Sequence, residues 1–77
     1  MKVTVKVYDD QKYKANAKVY GELKYDIESF IVRKISDEEI YSEGFDEVDP
    51  YGEYLILTFT DGRKSTFRNS YVDMFKF

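Results

Sequence analysis

Tyr54-Leu55-Ile56-Leu57-Thr58-Phe59-Thr60-Asp61-Gly62-Arg63-Lys64-Ser65-Thr66-Phe67 decides the fold, because it holds two apolar runs and a turn whose length sets their register. A two-residue Asp61-Gly62 loop would place Phe67 on the face opposite Leu55, Leu57 and Phe59. A three-residue Thr60-Asp61-Gly62 loop pairs Leu55 with Phe67 and keeps the apolar set together, with Gly62 in the left-handed position of a bulged turn. The bulged hairpin is therefore expected. Its first strand, Tyr54 to Phe59, is apolar enough on both faces to lie centrally in a sheet.

Working outward, Asp49-Pro50-Tyr51-Gly52 reads as the turn that delivers the chain into this hairpin. Upstream of it, Ser36-Asp37-Glu38-Glu39 has the form of a capping box, predicting a short helix to about Glu43 that Gly44 stops. Ile27 to Ile35 contains Phe30, Ile31 and Val32 in succession, which predicts a strand covered on both faces. At the N-terminus, Val3, Val5 and Val7 alternate with Lys2, Thr4 and Lys6, the period of a strand. After Asp9-Asp10-Gln11 the alternation resumes at Tyr13, Ala15, Ala17 and Val19, and a three-residue loop would pair Val7 with Tyr13 and Val5 with Ala15. A helix from Lys12 to Tyr20 competes with that hairpin, and Gly21 would end either. The tail from Ser70 carries Tyr71, Val72, Met74, Phe75 and Phe77, and should dock as a short helix or strand.

The expectation is one α+β, β-rich domain spanning residues 1–77. It has about five antiparallel strands, as a small OB-like barrel or an open sheet, and one short acidic helix between strands 3 and 4. With 43% hydrophobic and 18% aromatic residues the chain can build a packed core at this size.

No Cys and no His occur among the 77 residues. That removes disulfides, thiol nucleophiles, serine-hydrolase triads and His-bearing zinc sites, and it fits a reducing, cytoplasmic setting. No apolar run is long enough for a membrane span or a signal peptide. Asp61-Gly62-Arg63-Lys64 lacks the spacing of a phosphate-cradling loop. The acidic stretch fails as an EF-hand: with Gly52 at the sixth position, the fifth falls on Tyr51 and the twelfth on Thr58. No enzyme activity, cofactor or metal is expected.

Charge is segregated. Residues 1–34 carry eight basic and five acidic side chains, residues 35–62 carry nine acidic and no basic ones, and residues 63–77 carry four basic and one acidic. The densest part runs from Asp37 to Glu53, with Asp37, Glu38, Glu39, Glu43, Asp46, Glu47, Asp49 and Glu53 among Tyr41, Phe45, Tyr51 and Tyr54. Carboxylates spaced along a helix and loop can imitate a row of phosphates and attract a Lys/Arg groove, and Tyr41 and Tyr51 would supply contact anchors. The bland alternative is that they keep an aromatic-rich domain soluble.

A second candidate is the face of the first hairpin, where Lys6 would oppose Lys14 and Lys2 would oppose Lys18, with Lys12 nearby. Opposed like charges call for something anionic, either the acidic segment itself or nucleic acid stacked on Tyr8 and Tyr20. Lysines that merely discourage strand pairing would look the same. A third possibility is an adaptor that uses exposed aromatics such as Tyr41 and Tyr71.

In size and charge the chain resembles the small, acidic, His- and Cys-free inhibitors of phages and mobile elements, the anti-CRISPR class among them. That resemblance implies a protein inhibitor, in some cases a DNA mimic, that occupies the basic site of a partner such as a Cas nuclease. It assigns no functional residue, and the oligomeric state stays open.

Overall fold

The computed structural model describes residues 1–9, 19–45 and 47–76. In chain order these form β1 (Lys2–Tyr8), β2 (Val19–Lys34), α1 (Asp37–Glu43), β3 (Glu53–Phe59), β4 (Lys64–Arg68), a 3-10 turn (Asn69–Tyr71) and β5 (Val72–Lys76). The strands make one antiparallel sheet in the order β4-β3-β2-β1-β5.

The organising element is β2. At 16 residues it is more than twice as long as β1 or β3, and it divides between them. Val19 to Asp26 pair with β1, and Ile27 to Lys34 pair with β3. The register slips between Ile27 and Ser29. An irregularity of that kind bends a strand and increases its twist.

Of the two expected forms the sheet is the open one, since β4 and β5 are not paired, and the bend lets it fold over its own core. Flat, five strands spaced about 4.8 Å apart would separate β4 from β5 by about 19 Å. The three-residue turn between Arg68 and Val72 spans at most about 14 Å. The sheet therefore curls, and Val3, Val5 and Val72 from one half meet Leu55 and Leu57 from the other, with Ile27 buried at the bend. Tyr25, Phe59 and Phe67 extend this cluster, with ring centroids 5.2 Å apart for Tyr25 and Phe59 and 6.4 Å for Tyr25 and Phe67.

The hairpin from Tyr54 to Phe67 has the expected register. Leu55 pairs with Phe67, and Gly62 sits at φ 88°. The Phe59 amide donates to the Arg63 carbonyl at 2.8 Å and the Gly62 amide to the Phe59 carbonyl at 2.9 Å. β3 is central as expected, with Tyr54, Leu55, Ile56 and Leu57 all buried. The tail docks as β5, antiparallel to β1.

Four expectations are corrected, the first being that the stretch from Ile27 is covered on both faces: Ile27 is buried, but every residue from Glu28 to Lys34 is exposed. The helix lies between the second and third strands, because what read as a separate strand from Ile27 is the second half of β2. Gly21 stops nothing: it lies within β2 opposite Val7, in open space and without a positive φ. Val5 pairs with Leu23, eight residues beyond the expected Ala15. The shift is even, so the odd-numbered residues keep their face. It brings Tyr25 and Ile27 into the cluster with Val3 and Val5 in place of alanines, and larger apolar side chains remove more surface from water. The proposed strand at Tyr13 to Ala17 and the competing helix over its residues lie outside the described part.

Candidate functional site

The acidic segment is built from a capped helix, a loop and a turn. Ser36 adopts extended backbone angles and its Oγ accepts from the Glu39 amide at 3.2 Å, which satisfies one of the free donors of the first turn. Gly44 closes the other end at φ 72°, its amide donating to the Tyr41 carbonyl at 3.1 Å. Asp37, Glu38 and Glu39 occupy the first turn, where the helix dipole favours negative charge.

α1 has no buried residue. Asp37, Glu38 and Glu43 are exposed, and Tyr41 is 88% exposed. Glu39 turns back toward β2 and meets Arg33 at 3.1 Å. The hydrogen bond from the Arg33 guanidinium holds the Glu39 carboxyl below its ordinary value against desolvation, with the Arg33 charge and the Ser36 amide and hydroxyl adding to the lowering.

Beyond the helix the aromatics divide. Phe45 packs on Tyr54 with centroids 5.4 Å apart, and Tyr54 is fully buried. Tyr51, at the turn, is 76% exposed. Glu53 is exposed, as is Glu47, which meets Arg68 at 3.3 Å. The Arg68 guanidinium lies 3.9 Å from the Tyr71 ring centroid. Asp46 lies outside the described residues.

Asp49 differs from its neighbours in the run. It is 3% exposed, and its carboxylate accepts from three amides: Ser70 at 2.7 Å on Oδ1, and Tyr51 at 3.0 Å and Glu53 at 3.3 Å on Oδ2. Its own amide donates to the Tyr54 hydroxyl at 3.0 Å. Burial alone would raise its carboxyl, but the bonds from Ser70, Tyr51 and Glu53 outweigh burial and hold it below the ordinary value. Asp49 therefore ties the turn to the β4–β5 connection and has no free side for a partner.

Sequence reasoning missed the basic frame of this surface. Arg33 stands at one end of the acidic segment and Arg68 at the other. Arg68, Tyr71, Phe45 and Glu47 line a cleft of about 550 Å³ that also reaches Val7 and Val72. The available signal was the return of basic residues immediately outside the acid block.

The Lys candidate is altered by the register. Lys2 opposes Asp26, and Lys6 opposes Glu22 on one side and Asp73 on the other. The expected oppositions to Lys18 and Lys14 therefore do not form, since those places on β2 are taken by acids. Lys6 also rests 5.3 Å from the Phe75 ring centroid. Tyr8 hydrogen-bonds Asp73, which raises the phenol above its ordinary value, while Tyr20 is 78% exposed. Lys12, Lys14 and Lys18 lie outside the described residues.

Among the described residues no group of three or more acidic side chains is placed to hold a metal ion, and no helix is long and apolar enough to cross a membrane. Compared with known protein families, curated proteins and solved structures, the chain matches none.

Proposed function

We propose that this chain is a non-enzymatic binding protein, an inhibitor of the anti-CRISPR or anti-defence kind. On this reading it presents the surface between Asp37 and Glu53 to a basic, nucleic-acid-binding site on a partner protein. One observation carries the reading: Asp37, Glu38, Glu43 and Glu53 are exposed beside Tyr41 and Tyr51, the two aromatics of the segment that stay out of the core. Carboxylates without a partner among the described residues keep their field for an approaching cation, and exposed tyrosines offer rigid apolar contact area. Asp49 drops out of the contact set, and Glu39 and Glu47 are partly neutralised by their arginines.

The nucleic-acid reading loses support because Lys2 and Lys6 already face acids across the ladders.

The test is binding to a nucleic-acid enzyme such as a Cas nuclease, followed over a salt series. Glu38→Gln, Glu43→Gln and Glu53→Gln together should weaken binding about tenfold and flatten its salt dependence. Unchanged affinity rejects the acidic surface as the contact. A gel-shift with single-stranded DNA and RNA at low salt should show no complex.

A further inference from the structure

Residues 28–34 of β2 break the protein's burial pattern. On one side they pair with β3, whose Tyr54, Leu55, Ile56 and Leu57 are buried. On the other side β1 has already ended. Its ladder stops at Lys2 opposite Asp26, and the Ile27 amide donates to the Met1 carbonyl at 2.8 Å. No described strand pairs with that side of residues 28–34. Every residue from Glu28 to Lys34 is exposed, whichever face it occupies. Phe30 is 36% exposed, Ile31 52% and Val32 45%. An apolar strand with a free backbone edge is a template for another strand.

The sequence of this edge specifies which strand fits. Glu28-Ser29-Phe30-Ile31-Val32-Arg33-Lys34 is complementary to itself when reversed about Ile31. Antiparallel pairing of two copies on that centre sets Glu28 against Lys34 twice, Phe30 against Val32 twice, and Ile31 against Ile31. Opposite charges and large apolar side chains facing one another are the cross-strand pairs that stabilise sheets. A slip of one residue exchanges the faces. A slip of two sets Glu28 against Val32 or Lys34 against Phe30. Only the centred register satisfies both the charges and the apolar residues.

We infer that this edge is a homodimer interface, in which a second copy of the chain pairs β2 to β2 about a two-fold axis at Ile31 and joins two five-stranded sheets into one. The contact is isologous, each copy giving and receiving the same residues, so it closes at two and does not propagate. It uses none of the exposed acids Asp37, Glu38, Glu43 and Glu53, although Arg33, which meets Glu39, lies within it.

Light scattering and sedimentation on the purified chain read the outcome without any partner protein. At high-micromolar concentration the mass should approach twice the 9.2 kDa of the single chain, and dilution should return it to one. Ile31→Arg places two cations on the axis, and Glu28→Lys sets like charges against Lys34. Each should hold the chain at the single mass, with circular dichroism unchanged because both side chains are exposed. Combining Glu28→Lys with Lys34→Glu should restore the doubled mass. A native chain that stays single at high-micromolar concentration overturns the inference, as does a dimer that neither variant disturbs.

Discussion

The acids between Asp37 and Glu43 stand on a helix with no buried residue, whereas Asp49, in the same run, is sealed beneath the turn and bonded to three amides. In the sequence the two regions look alike. They differ in what the backbone around them offers. The part-buried amides of Tyr51, Glu53 and Ser70 converge on one carboxylate that is itself 3% exposed, and a buried carboxylate without donors is costly. The amides at the start of α1 are open to water and capped by Ser36, so their acids have no such demand to meet. A run of like charge is therefore a mixture of fixed and free groups.

Breaking the fixed group should have the largest effect. Asp49→Ala strips three amides of their acceptor, and we expect a loss of about 3 kcal/mol in urea unfolding. A loss under 1 kcal/mol would mean that water replaces the carboxylate.

The pH dependence sharpens the same point. Asp49 binds its proton more weakly folded than unfolded, so its contribution is present above the ordinary value of 3.8 and is lost as pH falls through the lower folded value. Unfolding curves of the native chain and Asp49→Asn should therefore converge on acidification. A gap that stays constant with pH would assign the effect to shape and not to charge.

On the free side, effects shrink. Ser36→Ala should cost α1 about 1 kcal/mol, read as faster amide exchange at Glu39 and Ile40, the two donors Ser36 accepts from through its side chain and its carbonyl. Glu38→Gln with Glu43→Gln should leave global stability within about 0.5 kcal/mol. A larger drop would show that the helix acids are structural after all.

How much of this was legible follows from the range of the interactions. The β3–β4 hairpin, the Ser36 cap and the Gly44 stop depend on residues a few positions apart, and all were readable from turn chemistry and period. The Asp49 turn was readable as a turn. Its reach to Ser70, 21 residues on, was not, because nothing local marks the acceptor that a distant amide requires. The length of β2 was hidden for a related reason. Gly21 and the charged residues of 22–28 look like an interruption, and only β1 on one side and β3 on the other make a single strand of it. Within the candidate site, exposure of Tyr41 and Tyr51 against burial of Tyr54 depended on which side of β3 the loop came to cover. Four aromatics in a row of acids carry no sign of that.

One ladder also sets the order of events during folding. β5 pairs with β1, so Val3 waits for Lys76, while Thr58 finds Lys64 across a short loop. Closing nearly the whole chain costs the most entropy, and closing the hairpin the least. The β3–β4 hairpin should be established in the folding transition state and β5 should arrive last. Val72→Ala should then chiefly accelerate unfolding, while Phe67→Ala slows folding. On the ribosome, β1 must remain without its outer neighbour until the final strand has emerged.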